Sequence, residues 1–262
     1  MLNKWVDKIR HIDQVRRFEN ALRYSGKRYI SLGDTKDKFF RPGWECVDLV
    51  GADIFCDLRT GSLPFEDNTI DAIHSSHLIE HLSLPQGQVL IQNCFRCMKS
   101  GGVIRFATPD LDLLIEKFET NDWQWFLANG ADPIFQRVQA GVLPEVSLLL
   151  HNLFVGWLAS YSGRLDVGGG PIVDAQDVVE KLESLGRYGF RDWCVSQLDP
   201  DRVHAHVHVY DFPELCDLFV AAGFSSARQG TFNDSQSVAM QSPGIDRTER
   251  AAYSLYIEAI KP

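Results

Sequence analysis

Excess positive charge is the first thing missing from this chain of 262 residues: 26 Lys and Arg stand against 35 Asp and Glu, for a formal net charge of −9. Nucleic-acid binders draw much of their affinity from neutralising phosphates, so this balance excludes that class of partner. Long apolar runs are also missing. The longest, Val146 to Tyr161, is broken by His151 and Asn152 and falls short of the roughly 20 residues a bilayer span needs. It reads as a buried helix, with no stable membrane insertion. Trp5, Asp7 and Lys8 interrupt the apolar stretch that a secretory leader requires, so a cytoplasmic location is expected. Cysteine has no framework: the six, at 46, 56, 94, 97, 194 and 216, are scattered, which suits reduced thiols. Cys94 and Cys97 form a lone C-x-x-C. A zinc site needs four ligands, so this pair reads as helical core.

Apolar material is plentiful, at 45% of the chain, enough for one large domain or a domain carrying an insertion. Residues 1–28 hold Lys4, Lys8, Arg10, Arg16, Arg17, Arg23, Lys27 and Arg28 against Asp7, Asp13 and Glu19, while Trp5, Ile9, Ile12, Val15, Phe18 and Leu22 recur at helical spacing. An amphipathic helix docked on the domain follows from that stripe. Residues 29–118 alternate short apolar strands with helices: strands at Tyr29–Leu32, Trp44–Leu49, Ile70–His74 and Val103–Ala107, helical pieces at Leu78–Leu82 and Gln88–Met98. That rhythm argues for crossover units and a parallel sheet. Lys99-Ser100-Gly101-Gly102 reads as a helix end with a glycine cap. Residues 119–203 lose the rhythm and are rich in aromatics, as in an insertion or cap over a pocket. In residues 204–262, Asp211-Phe212-Pro213-Glu214 has capping-box form and opens a helix that stops at Gly223. Strands near Ser226–Phe232 and Tyr253–Ile260 complete the sheet.

Ligands of an open parallel sheet bind beyond the C-terminal strand ends, where the strand order reverses. The positions delivered there are Gly33, Asp34 and Thr35 from the first strand, Asp48 from the second, Asp57 and Leu58 in a following loop, Ser75, Ser76 and His77 from the next strand, and Asp110 from the last. A carboxylate at the tip of the second strand suits a ribose diol; as the alternative, Asp48 caps a turn. Histidine titrates near working pH, which makes His77 the first candidate base and Asp110 the second. Glu80 and His81 read as structural or facing an adenine. His204, His206 and His208 alternate, so an extended segment would set all three on one face. With no acidic or cysteine partner nearby in sequence, ordinary hydrogen-bonded histidines are preferred there and no metal is expected.

An ordered series of short motifs carries a resemblance. It runs Leu32-Gly33, Pro42-Gly43-Trp44 with Asp48, Asp57-Leu58, Leu63-Pro64-Phe65 with Asp67-Asn68 and Asp71, Ser75-Ser76-His77-Leu78-Ile79-Glu80-His81, and Lys99-Ser100-Gly101-Gly102. Over roughly residues 29–112 the chain resembles class I S-adenosylmethionine-dependent methyltransferases, and most of all a group associated with surface-glycan and secondary biosynthesis. The resemblance implies an α/β Rossmann-like sheet, mostly parallel with an antiparallel C-terminal strand, helices on both faces and an added cap. It further implies S-adenosylmethionine held by Gly33, Asp34, Thr35, Asp48, Asp57, Leu58, Ser75 and Ser76, and O-methylation of a small-molecule or glycan acceptor, with self-association left open. Such enzymes usually carry Gly-x-Gly after the first strand, where this chain has Gly33-Asp34-Thr35. A noncatalytic binding or scaffold protein on the same fold is therefore the alternative. A dinucleotide enzyme is the third reading, disfavoured by the missing G-x-G-x-x-G loop.

Overall fold

The computed structural model describes residues 15–17, 19–36, 41–130, 150–159, 173–197, 205–241 and 244–262. Its centre is a seven-stranded sheet built from β1 (Tyr29–Leu32), β2 (Trp44–Asp48), β3 (Ile54–Phe55), β4 (Ile70–Ser76), β5 (Met98–Pro109), β6 (Ser225–Gly230) and β7 (Ser254–Ile260). The strands lie in the order β3-β2-β1-β4-β5-β7-β6. β1 to β5 run parallel, and β7 is antiparallel to both of its neighbours. All four residues of β1 and six of the seven in β4 are buried, as expected of parallel strands covered on both faces.

One face is covered by α1 (Leu84–Cys97) and α6 (Phe212–Ala222). α1 begins with a reciprocal Ser83–Gln86 capping box and lays Leu90, Ile91, Cys94 and Cys97, all fully buried, along one stripe. The C-x-x-C pair is therefore core, and all six cysteines are free thiols. α6 follows the sequence closely: Asp211 accepts from the Glu214 amide, and Gly223 closes the helix at φ 104°. The expected helix end at Lys99–Gly102 is instead part of β5, which starts at Met98. Gly101, at φ 76°, donates its amide to the Lys261 carbonyl, so its left-handed backbone serves the edge of the sheet and not a helix cap.

Cover of the second face is less regular. Residues 33–43 alone join β1 to the parallel β2, and the described part of that crossover contains no helix. Leu22, together with Ala239, Met240 and Ile245 from the segment before β7, packs on Tyr29, Trp44, Cys46 and Ala72. The helical turns at 15–17 and 19–23 lead into this layer; Trp5, Ile9, Ile12 and Phe18 of the expected amphipathic stripe lie outside the described residues.

The remaining helices, α2 (Leu111–Glu119), α3 (Trp123–Gly130), α4 (Leu150–Ala159) and α5 (Ala175–Ser196), share a second core. Stacked Phe118–Phe154 and Phe154–Phe190 pairs run through it with centroids 4.4 and 5.3 Å apart. Much of the aromatic wealth of the 119–203 stretch thus fills its own interior. Among the described residues, no helix is long and apolar enough to cross a membrane.

Candidate functional site

The strand order reverses between β1 and β4. Leu32 pairs with Val47 of β2 and Ser75 of β4, so Gly33, Asp48 and Ser76 stand at one level on the sheet rim. Gly33 has φ 76°, and a Cβ there would lie 3.0 Å from the Leu78 side chain. Only glycine meets both demands without strain. The Gly33 amide donates to the Val47 carbonyl at 2.9 Å, which fixes the first turn of the loop.

The expected cofactor residues divide into two groups. Asp48 is half-buried at the rim, and its Oδ1 accepts from the Leu49 amide at 2.5 Å. Asp57 caps a short turn at Leu58–Thr60 and pairs with Arg59 at 2.7 Å, while Leu58 is buried beneath it. Both Asp57 oxygens accept from the Arg59 guanidinium, at 2.8 and 2.7 Å. Asp34, Ser75 and Ser76 are instead engaged by protein. Asp34 is buried, accepts from Ser31 Oγ at 2.7 Å and is ion-paired with Arg247. Ser75 Oγ donates to the Leu32 carbonyl at 3.2 Å, and Arg250 donates to the Ser76 carbonyl and hydroxyl. Thr35 leans on the Gly51 turn, 3.5 Å from where a Gly51 Cβ would stand, and the Lys36 amide donates to the Gly51 carbonyl. Gly33 and Asp48 therefore stand at the rim, Asp57 and Leu58 follow β3, and Asp34, Ser75 and Ser76 are committed to protein partners.

His77, at φ 57°, turns back beneath the rim. Its Nε2 lies 2.8 Å from Ser254 Oγ, whose own proton goes to the Arg250 carbonyl. His77 Nε2 is therefore the donor of that pair. Nδ1 sits 3.1 Å from Glu80 Oε1, and burial pushes the imidazole below its ordinary range despite this neighbour. Asp110, the second candidate base, is the N-cap of α2 and accepts from the amides of Asp112 and Leu113; burial pushes its carboxyl upward. Its place in the fold is explained by capping alone.

Of the three alternating histidines, His204 lies outside the described residues. The 205–209 stretch makes no strand, and only Tyr210 joins a bridge, to Asp110. His206 and His208 are both buried; His206 Nδ1 meets the Trp157 carbonyl at 2.7 Å, and His208 Nε2 lies 3.1 Å from Glu214. Sequence reasoning did not assign roles to Arg247, Arg250 or Ser254. The dense run Asp246-Arg247-Thr248-Glu249-Arg250 is the signal that could have found the first two, because so many charges in a short stretch need partners. A separate cavity of about 580 Å³ lies among α2, α4 and α5, lined by Phe118, His151, Leu182 and Arg187 among others.

Residues 33–106 match a family model described as a methyltransferase domain. The match runs from the tip of β1 through most of β5 and agrees with the expected methyltransferase class. No curated protein matches the chain. Solved structures similar to it include PigF with SAH (13% identity, TM-score 0.40), of which the chain covers 61% with 95% of its own length. A SAM-dependent methyltransferase from Archaeoglobus fulgidus shares 12% identity over 95% of this chain and 92% of that one, with TM-score 0.43. An S-adenosylmethionine-dependent methyltransferase from Mesorhizobium loti shares 14% over 92% and 96%, with TM-score 0.41.

Proposed function

We propose that the protein transfers a methyl group from S-adenosylmethionine to an oxygen of a small-molecule or sugar-containing acceptor, of the surface-glycan or secondary-metabolite kind, in the cytoplasm. The observation that carries this reading is the coincidence of the methyltransferase-domain match over residues 33–106 with the rim where the strand order reverses around Gly33. When bound, the cofactor supplies an electrophilic methyl on sulfur. Gly33 lets backbone approach the ligand, Asp48 accepts hydrogen bonds from a ribose diol, and Asp57 with Leu58 offers an acceptor and an apolar face to the adenine. His77, buried with its Nε2 on Ser254 Oγ, is assigned as the base that takes a proton from an acceptor hydroxyl at Nδ1, the nitrogen beside Glu80. The free cysteines support a reducing compartment.

The test is calorimetric titration of the full chain with S-adenosylhomocysteine. Saturable binding with one equivalent, weakened about tenfold or more in Asp48→Ala, is expected, since a lost charge-assisted hydrogen bond costs about 1.5–3 kcal/mol. Folded protein that binds none refutes the cofactor assignment. Binding unchanged by the substitution removes Asp48 from it.

A further inference from the structure

Directly beneath the rim, the structure brings together residues that the sequence holds far apart. Glu80, His81 and His206 each present one ligand atom, and the three atoms lie within 4.8 Å of one another. We infer that Glu80, His81 and His206 form a binding site for a divalent metal ion of the zinc or manganese kind.

Two independent features favour a cation over a simple hydrogen-bonded cluster. The first is orientation. His81 Nδ1 lies 3.1 Å from the Ala205 carbonyl, and His206 Nδ1 lies 2.7 Å from the Trp157 carbonyl. A carbonyl only accepts, so both rings carry their proton on Nδ1, which makes Nε2 the lone-pair nitrogen of each. This is the outer-shell arrangement that fixes tautomer and ring angle in metal-ligating histidines. His81 Nε2 stands 4.0 Å from Glu80 Oε1, a gap that a bridging ion fills with small side-chain adjustments.

The second feature is the carboxylate. Glu80 is fully buried, and its Oε1 has no hydrogen bond of acceptable geometry among the described residues, although His77 Nδ1 lies 3.1 Å away. Oε2 accepts from Thr108 Oγ1 at 3.2 Å, and the backbone carbonyl of Glu80 takes the amides of Val207 and His208. The residue is thus anchored everywhere except at the oxygen that faces the two imidazoles. A buried carboxylate oxygen left in this way is costly unless a cation meets it.

Two imidazole nitrogens and one carboxylate oxygen suit borderline divalent ions, and three protein ligands leave coordination positions open. Glu80 and His206 are buried while His81 is partly exposed, which places the entry path at His81. In a methyltransferase, such open positions would hold an acceptor oxygen beside His77; this last clause alone rests on the functional reading above.

The test uses the full chain, stripped with a chelator and dialysed. Titration with zinc and with manganese(II) should show one bound equivalent and a raised melting temperature, and cobalt(II) should give the visible ligand-field bands of a mixed nitrogen and oxygen sphere. Glu80→Gln and His206→Gln should lose at least about tenfold in affinity, as loss of a ligand costs no less than loss of its outer-shell partner. His81→Ala, at the exposed edge, tests the site should either buried variant fail to fold. His208→Gln, outside the ligand set, should bind as the parent does. Absence of stoichiometric binding in the folded parent overturns the site, as does affinity unchanged in His81→Ala. These readouts are independent of S-adenosylhomocysteine binding, so failure of the metal site and failure of the methyltransferase reading are separable.

Discussion

Arg105→Met is the substitution whose consequence the structure defines best. The Arg105 side chain is fully buried on β5 beside two almost fully buried carboxylates, Asp246 and Glu258. Its Nε and Nη2 donate to Asp246 at 3.0 and 2.5 Å, and its two terminal nitrogens also donate to the carbonyls of Asp234 and Thr231 at 2.9 and 2.8 Å. The guanidinium lies over the Tyr256 ring, 4.8 Å from its centroid. Removing it leaves Asp246 with the Asn233 amide at 2.7 Å as its remaining donor among the described residues, while the Asp234 and Thr231 carbonyls keep one donor each, from Arg228 and the Asp234 amide. Breaking a buried ion pair at one partner costs about 3–5 kcal/mol, a large share of the roughly 5–15 kcal/mol that stabilises a domain. Urea unfolding followed by tryptophan fluorescence should therefore show a loss in that range. The double variant Arg105→Met with Asp246→Leu should recover part of it, because an apolar pair carries no stranded charge. The same network anchors the segment that brings Arg247 to Asp34 and Arg250 to Ser76, so the single variant should also weaken S-adenosylhomocysteine binding. A stability loss below about 1 kcal/mol, the scale of an exposed pair, refutes the reasoning.

Two further outcomes follow from the rim itself. Gly33→Ala should cost about 1–2 kcal/mol, from the left-handed backbone and the close Leu78 contact, and should reduce S-adenosylhomocysteine affinity; a variant as stable and as avid as the parent contradicts the assigned loop geometry. His74 is fully buried on β4, and burial pushes its imidazole from the ordinary 6.5 to about 4. Its Nδ1 lies 3.3 Å from Ser31 Oγ, which donates onward to Asp34, so the neutral ring is the donor in this chain. Between those two values the unfolded chain binds a proton that the fold does not. The contribution is therefore complete above about 6.5 and is lost as pH falls, at ~1.4 kcal/mol per pH unit. Chemical denaturation across that window should give a shallower acid limb in His74→Gln than in the parent; identical limbs refute the assignment.

Much of the architecture was legible from local chemistry. The runs at Tyr29–Leu32 and Ile70–His74 announce buried parallel strands because every residue must be apolar or internally bonded when both faces are covered. Asp211 and Gly223 bound a helix because the first amides and last carbonyls of any helix need exactly such partners nearby in sequence. Gly33 and Asp48 were visible at the rim because strand ends are local features. Lys99–Gly102 misled for the same reason: a positive-φ glycine after a helix has the same local signature whether it caps that helix or edges a strand, and only pairing with Lys261 separates the two.

The commitments of individual side chains needed the folded chain. Asp34 is drawn inward by Arg247, which lies more than two hundred residues along the chain, and Ser76 is claimed by Arg250. Neither pairing has a sequence period, since long-range contacts are set by how the C-terminal segment lies on the second sheet face. His206 offers the sharpest contrast. Its neighbours in sequence supply no partner for it, yet the fold brings Glu80 and His81 to it from the turn after β4. Periodicity specifies which surfaces must be buried, because hydrophobic burial is governed by composition along a strand or helix. Which polar atoms then face one another depends on the packing of segments remote in sequence, and that is where the chemistry of this protein is assembled.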